Sequence, residues 1–231
     1  MFYDQGLADA ACGSLMQIRH MDVTANNLAN VSTTGFKGDR LIFDDMLSRE
    51  MQVDFSQGSL QETGNPLDVA LSGDGFFMIR TPGGDRLTRS GAFKMDANGA
   101  LVTSEGHAVL DSAGQPVTLN PSGGQVFIDS EGNVSQDGAQ VATLAVVEVQ
   151  NKAALQKDGR TAFSGADGQL PPTAPAADVV VNQGSLEMSN VTVVDQMVNM
   201  ITAQRAFESY QKAVHSLQEI DQKAVSQVGK V

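Results

Sequence analysis

The hydrophobic positions of this chain change period twice. Over the first thirty residues, Leu7, Ala11, Leu15, Ile18, Met21, Ala25 and Leu28 recur at steps of three and four. Their mean spacing of about 3.5 predicts an amphipathic helix with a seam like that of a coiled coil. Ala25 and Ala29 close the seam on small residues that let another backbone approach. A Ser-Thr-Thr run follows at 32–34, with Gly35 placed for a left-handed stop. The far end repeats this on a larger scale. Thr192 and Asp195 stand in capping-box spacing, and Met200, Ala203, Phe207, Tyr210, Val214, Leu217, Ile220, Ala224 and Val228 advance by threes and fours. No Gly or Pro interrupts 185–228, so a helix of roughly 35 residues, about 50 Å long, is predicted.

Between the helical ends the period shortens. "LDVALS", "FFMIR", "ALVT", "HAVL", "PVTL", "QVFI" and "ATLAVVEV" are short strand-like runs. They are separated by the turns "DANG" (96–99), "DSAG" (111–114), "DSEG" (129–132) and "QDGA" (136–139). The middle therefore reads as antiparallel β, a small sandwich or open barrel. Residues 158–178, rich in Gly, Pro and Ala, read as a long loop returning toward the C-terminal helix. "QGSL" occurs at 57–60 and again at 183–186, which places a strand pair where the chain enters and leaves the middle. The fold class is α+β: two long terminal helices, paired like a coiled coil, around a central antiparallel β domain. The expected segments are a helix and turn (1–38), a connector (39–66), the β domain (67–182) and the C-terminal helix (183–231).

Charge and composition narrow the function. Across 231 residues the net charge is −12, and apolar residues make up 41%. An acidic chain lacks the basic face that phosphate binding needs and is repelled by anionic lipid. No apolar run approaches the 18 residues that suggest a bilayer span. The single cysteine, Cys12, permits no internal disulfide and reads as a small helix-packing residue. The N-terminus has neither the basic start nor the apolar run of a cleavable signal. That implies a cytoplasmic chain, or one exported by a route that reads no such signal.

Catalytic patterns are missing. His20, His107 and His215 lie far apart and in no metal-ligand spacing, so each reads as a surface or helix-face residue. "SGDGFF" at 72–77 is followed by a strand, where a dinucleotide site needs a helix N-terminus. The Asp-x-x-Gly turns each offer too few oxygens for calcium. No cofactor, metal or small-molecule substrate is expected, and the chain reads as a non-enzyme.

The ends point to self-assembly. Burying a large side chain gains roughly 1.5–3 kcal/mol, while ordering each residue costs about 1–2 kcal/mol. A lone pair of such helices is marginal, and should order fully when neighbouring chains cover its seams. A head-to-tail contact that does not close makes a helical filament. The competing class is a carbohydrate- or peptide-binding β module with helical arms. That reading needs an exposed aromatic surface, yet Phe76, Phe77, Phe93, Phe127 and Phe163 fit strand cores as readily.

Four stretches carry a resemblance: "MDVTANNLANVSTTGFK" (21–37), "QGSLQETGNPLDVALSGDGFFMI" (57–79), "LTRSGAFKMDANGALVTSEGHAVL" (87–110) and "NQGSLEMSNVTVVDQMVNMITAQRAFESYQKAV" (182–214). Together, and in this order, they resemble the bacterial flagellar basal-body rod and hook family. The resemblance implies a structural subunit of the basal-body rod in the periplasm, exported by the flagellar type III apparatus without signal cleavage. Its partners would be copies of itself and other rod proteins, with the terminal helices as an inner layer and the β domain outside. The short stretch at 48–57 favours the proximal-rod type; the C-terminal motif resembles the distal rod as well.

The expected subunit contacts follow from the seams and the resemblance. On the N-terminal side they are Leu7, Leu15, Ile18, Met21 and Leu28, with Asn26, Asn27 and Asn30 bonding backbone groups of an adjacent helix. Phe36, held by Gly35 and Gly38, would be an apolar anchor to a neighbouring subunit. On the C-terminal side they are Met197, Met200, Ile201, Phe207, Val214, Leu217 and Ile220, where methionines suit a surface that must fit non-identical neighbours.

Overall fold

The computed structural model describes residues 2–43, 49–176 and 178–228. Two helices, α1 (Phe2–Ala29) and α2 (Val193–Val228), bracket a β region. The chain forms two compact units. One holds both helices; the other comprises 30–40 and 51–191.

Within the helical unit α1 and α2 pack together. Gly6 lies against Leu217 and Gly13 against Tyr210. Seven residues forward on α1 match seven back on α2, so the helices run antiparallel. A side chain at Gly13 would start 2.4 Å from the Tyr210 ring, so glycine there is what admits the tyrosine. α2 starts as its sequence suggests. Thr192 accepts the Asp195 N–H at 3.4 Å and donates its hydroxyl to the Asp195 carboxylate.

The strands run in order as β1 (Asp39–Phe43), β2 (Arg49–Val53), β3 (Leu60–Glu62), β4 (Val69–Ser72), β5 (Phe76–Thr81) and β6 (Gly84–Thr88). Then come β7 (Phe93–Met95), β8 (Leu101–Thr103), β9 (Ala108–Val109), β10 (Val126–Ile128), β11 (Asn133–Gln136) and β12 (Ala139–Thr143). The last six are β13 (Val146–Val149), β14 (Leu155–Lys157), β15 (Ala162–Gly165), β16 (Thr173–Pro175), β17 (Val180–Gln183) and β18 (Ser185–Glu187). The main sheet has the order β14-β15-β6-β5-β9-β8-β7, with β13 bridging β5 and β16. Among the registers described, every pair in it is antiparallel. β10, β11 and β12 form a separate three-stranded sheet.

Both faces of the main sheet are covered. Successive side chains of a strand point to opposite faces, and the adjacent Phe76 and Phe77 of β5 belong to different apolar clusters. Phe77 joins Val69, Leu71, Phe93 and Val181 in the larger one. Phe76 joins Leu87, Leu155 and Phe163 in the smaller, which Phe55 closes edge-on at 5.6 and 5.2 Å from the Phe76 and Phe163 rings.

The Asp-x-x-Gly turns share one chemistry. The Oδ1 atoms of Asp96, Asp111 and Asp129 each accept two backbone N–H groups, from the residues two and four positions on. Gly99, Gly114 and Gly132 supply the positive φ that closes each turn. These carboxylates are engaged in building turns.

The two QGSL copies do meet. β3 pairs with β18 (Leu60 opposite Glu187, Glu62 opposite Ser185), and β4 pairs with β17 (Val69 opposite Gln183, Ser72 opposite Val180). These ladders carry the β unit past the 67–182 that periodicity delimits.

Two readings are corrected. The stretch 158–178 is no continuous loop: Ala162–Gly165 is a fully buried strand between β14 and β6, hidden in the sequence by its small residues. Cys12 is exposed on α1 rather than packed, because the helix contact falls on Gly6 and Gly13.

Candidate functional site

α1 turns its small face inward. On α1 the buried positions are Ala10, Gly13, Thr24 and Asn27, small or polar residues. The large apolar side chains face away: Leu15 is 63% exposed, and Leu7 and Ile18 are exposed too. Met21 and Leu28 are half-buried. The apolar stripe of α1 is therefore not the face that meets α2. Backbones approach most closely where side chains are smallest, so the glycine face takes the internal contact and leaves the leucine face open.

α2 divides its residues differently. Ala203 is buried, and Met200, Phe207, Val214 and Leu217 are half-buried along one line at steps of three, four and seven. A second line, Val194, Met197, Val198 and Ile201, is exposed at spacings of three, four and seven, with Val194 at 71%. Beyond Ile201 that outer line turns charged, with Arg205, Glu208 and Lys212. Ile220 is exposed near the helix end. An unbroken run of exposed apolar side chains at helical spacing marks an interaction site more than scattered ones do. Of the sequence-picked contacts, Leu7, Leu15, Ile18, Met197, Ile201 and Ile220 lie open; Asn26 is exposed as well.

The motif residues near 35 and 187 do something else. Phe36 is 1% exposed inside the β unit, with the Lys157 ammonium 4.1 Å above its ring and Lys157 bonded to Asp39 at 2.7 Å. Phe36 thus anchors its own chain, which corrects its assignment as a contact to a neighbour. Gly35 is buried with φ +69, and a Cβ there would lie 2.3 Å from the Ser90 nitrogen. Asn27 and Asn30 are buried too.

Next to Phe36 sits a buried ion cluster that local patterns did not reveal. Lys37 donates to Glu187 Oε1 at 2.6 Å and to the Ser56 carbonyl at 2.7 Å. Arg89 donates to Glu187 Oε2 at 2.9 Å and to the carbonyls of Gly73 and Gly75. The Gly58 N–H completes the set on Oε1 at 2.9 Å. Burial pushes the Lys37 ammonium below the usual lysine range, against the pull of Glu187 that raises it. Asn190 adds a second tie. Its Oδ1 accepts from Gly38 N–H at 2.8 Å, and its amide donates to the Asp54 carbonyl and to Ser56. Residues 35–39, 54–58, 73–75, 89 and 187–190 are thereby clasped together. The only sequence sign was that these charged and amide residues sat inside the four resembling stretches.

Two outcomes follow. Asn190→Ala will cost roughly 2–3 kcal/mol, read as a lower urea midpoint, because it strips partners from Gly38 N–H and the Asp54 carbonyl at once. In alkali the unfolded chain holds the Lys37 proton more tightly than the folded one. The stability of the native chain relative to Lys37→Met will therefore rise between the lowered pKa and about 10.4, in urea melts taken from pH 8 upward.

Among the described residues, no cluster of His, Cys, Asp and Glu could hold a metal ion. The open groove of about 480 Å³ beside Val146, Pro175 and Val179 has no aromatic lining. Phe127 is exposed on β10, while Phe76, Phe77, Phe93 and Phe163 are buried.

The chain matches three family models. "Flagella basal body rod protein" covers residues 17–37, "Flagellar hook protein FlgE/F/G D1 domain" covers 70–136, and "Flagellar basal body rod FlgEFG protein C-terminal" covers 182–227. It belongs to the flagellar basal-body rod protein family, a family of structural proteins of the bacterial flagellum. Within that family it is FlgF-like. It is 33% identical to the flagellar basal-body rod protein FlgF of Caulobacter vibrioides, covering 92% of this chain and 93% of the relative. It is 36% identical to FlgF of Mesorhizobium japonicum over 83% of this chain and 84% of that one. FlgG of Bacillus subtilis is 34% identical over 89% of this chain and 92% of its own length.

Proposed function

We propose that this chain is a self-assembling, non-catalytic subunit of the rod, joining copies of itself and other rod proteins through the outer faces of α1 and α2. The observation that carries this is the set of large apolar side chains left open on both helices, Leu7, Leu15, Ile18, Val194, Met197, Val198 and Ile201, while α1 turns Gly6 and Gly13 to Leu217 and Tyr210 of α2. Met21 and Leu28 border the α1 face, Ile220 is exposed near the end of α2, and Met200, Phe207, Val214 and Leu217 form the half-buried line of α2. A second helix laid across the open faces completes a coiled-coil-like layer. Asn26 is placed to bond a neighbouring helix; Asn27, Asn30, Gly35 and Phe36 shape the turn that follows α1. The proximal rod is the favoured position, on the short 48–57 stretch and the FlgF relatives. Export through the flagellar apparatus without signal cleavage, to the periplasmic rod, completes the reading.

Deleting both helices tests it. Cells carrying only the deleted form are expected to lack a rod and to be non-motile, and a complete, turning axle would overturn the proposal. A density map of intact basal bodies settles position: this chain at the base supports the proximal rod, and next to the hook it supports the distal one.

A further inference from the structure

The buried cluster has one anion for two cations, and the anion comes last. Glu187 lies 150 residues after Lys37 and 98 after Arg89, and all three are buried. The same short stretch closes the rest of the unit. β17 and β18 supply the partners of β4 and β3, Val181 fills the larger apolar cluster, and the Glu187 carbonyl accepts the Gly35 N–H at 2.7 Å. Without residues 180–190, Lys37 and Arg89 would be buried with no counter-charge among their bonded partners. A buried charge robbed of its partner is strongly destabilising, and long-range strand pairing repays its entropy only when both ends are present.

We propose that Glu187 is a completion latch. The unit formed by 30–40 and 51–191 folds only once this carboxylate seats between Lys37 and Arg89. A chain delivered N-terminus first, from a ribosome or through a pore, then stays open until residues 180–190 have arrived. This goes beyond the proposed rod function and stands without it.

Refolding of the full chain from urea, followed by pulsed hydrogen exchange, tests it. Amides of the central strands, such as Met78 and Leu110, should gain protection in the same phase as Val181 and Met188. Glu187→Gln should slow that phase at least tenfold, since contacts formed in the folding transition state act on the folding rate. Lys37→Met, which leaves a neutral Arg89–Glu187 pair, should refold at close to the native rate. Adding Lys37→Met to Glu187→Gln should recover part of the lost speed by removing one orphaned cation, which a mere packing role would not do. If Glu187→Gln does not fold, the slowing is read from the double variant against Lys37→Met. Protection of Met78 and Leu110 ahead of Val181, or an unchanged folding rate with only faster unfolding, would overturn the latch.

Discussion

Ile201→Asp and Leu15→Asp will each yield a folded monomer that no longer joins its neighbours. Both side chains are more than half exposed in the single chain, so the substitutions should shift the thermal transition by no more than about 0.5 kcal/mol. In an assembly each new carboxylate would be stripped of water against apolar side chains, at a cost of several kcal/mol. A loss of that size at every repeat amounts to a loss of polymer. Sedimentation and electron microscopy should show no filaments, and cells carrying either variant should fail to spread in soft agar. Glu208→Ala, on the charged part of α2, should leave both readouts unchanged. Wild-type assembly by the two Asp variants would remove the outer faces from consideration.

Gly91→Ala will be the most damaging single methyl group in the β unit. A Cβ at Gly91 would lie 1.6 Å from the Val69 carbonyl oxygen and 3.3 Å from the Phe77 ring. The obstacle is backbone: the Gly91 carbonyl accepts from Val69 N–H at 3.0 Å, so β4 is fixed against it. Relief requires moving a strand that carries two members of the larger apolar cluster, Val69 and Leu71. The cost should exceed roughly 3 kcal/mol, at the upper end for overpacking. Gly106→Ala is the control. Its φ is +87 but nothing lies within 4 Å of the added atom, so it should lose only about 1–2 kcal/mol. Urea melts of the two variants, read by circular dichroism, should differ in midpoint in that order.

Local pattern revealed the elements it could govern. The start of α2 was legible in Thr192 and Asp195 because a cap is a contact between residues three apart. The Asp-x-x-Gly turns were legible for the same reason, and β5 was legible as a short apolar run. The face that α1 turns to α2 was not. Hydrophobic periodicity finds the stripe with the largest side chains, whereas the internal contact runs along Gly6 and Gly13, which such a pattern scores as empty. β15 escaped because Ala162, Ser164 and Gly165 are small and sit among loop-like residues. Lys37, Arg89 and Glu187 escaped because each, read singly, is an ordinary surface charge; burial appears only when the fold gathers them. Phe36 was read as a contact to a neighbour and is buried in its own chain, since sequence shows that an apolar side chain needs cover without saying who provides it.

The ladder between β4 and β17 holds Ser72 and Val180 as direct cross-strand partners, a few ångströms apart. Everything from 73 to 179 leaves and returns through that narrow doorway. Any lobe of different length spliced there must still return Arg89 to Glu187 and Gly91 to Val69, because the frame and the lobe share those bonds.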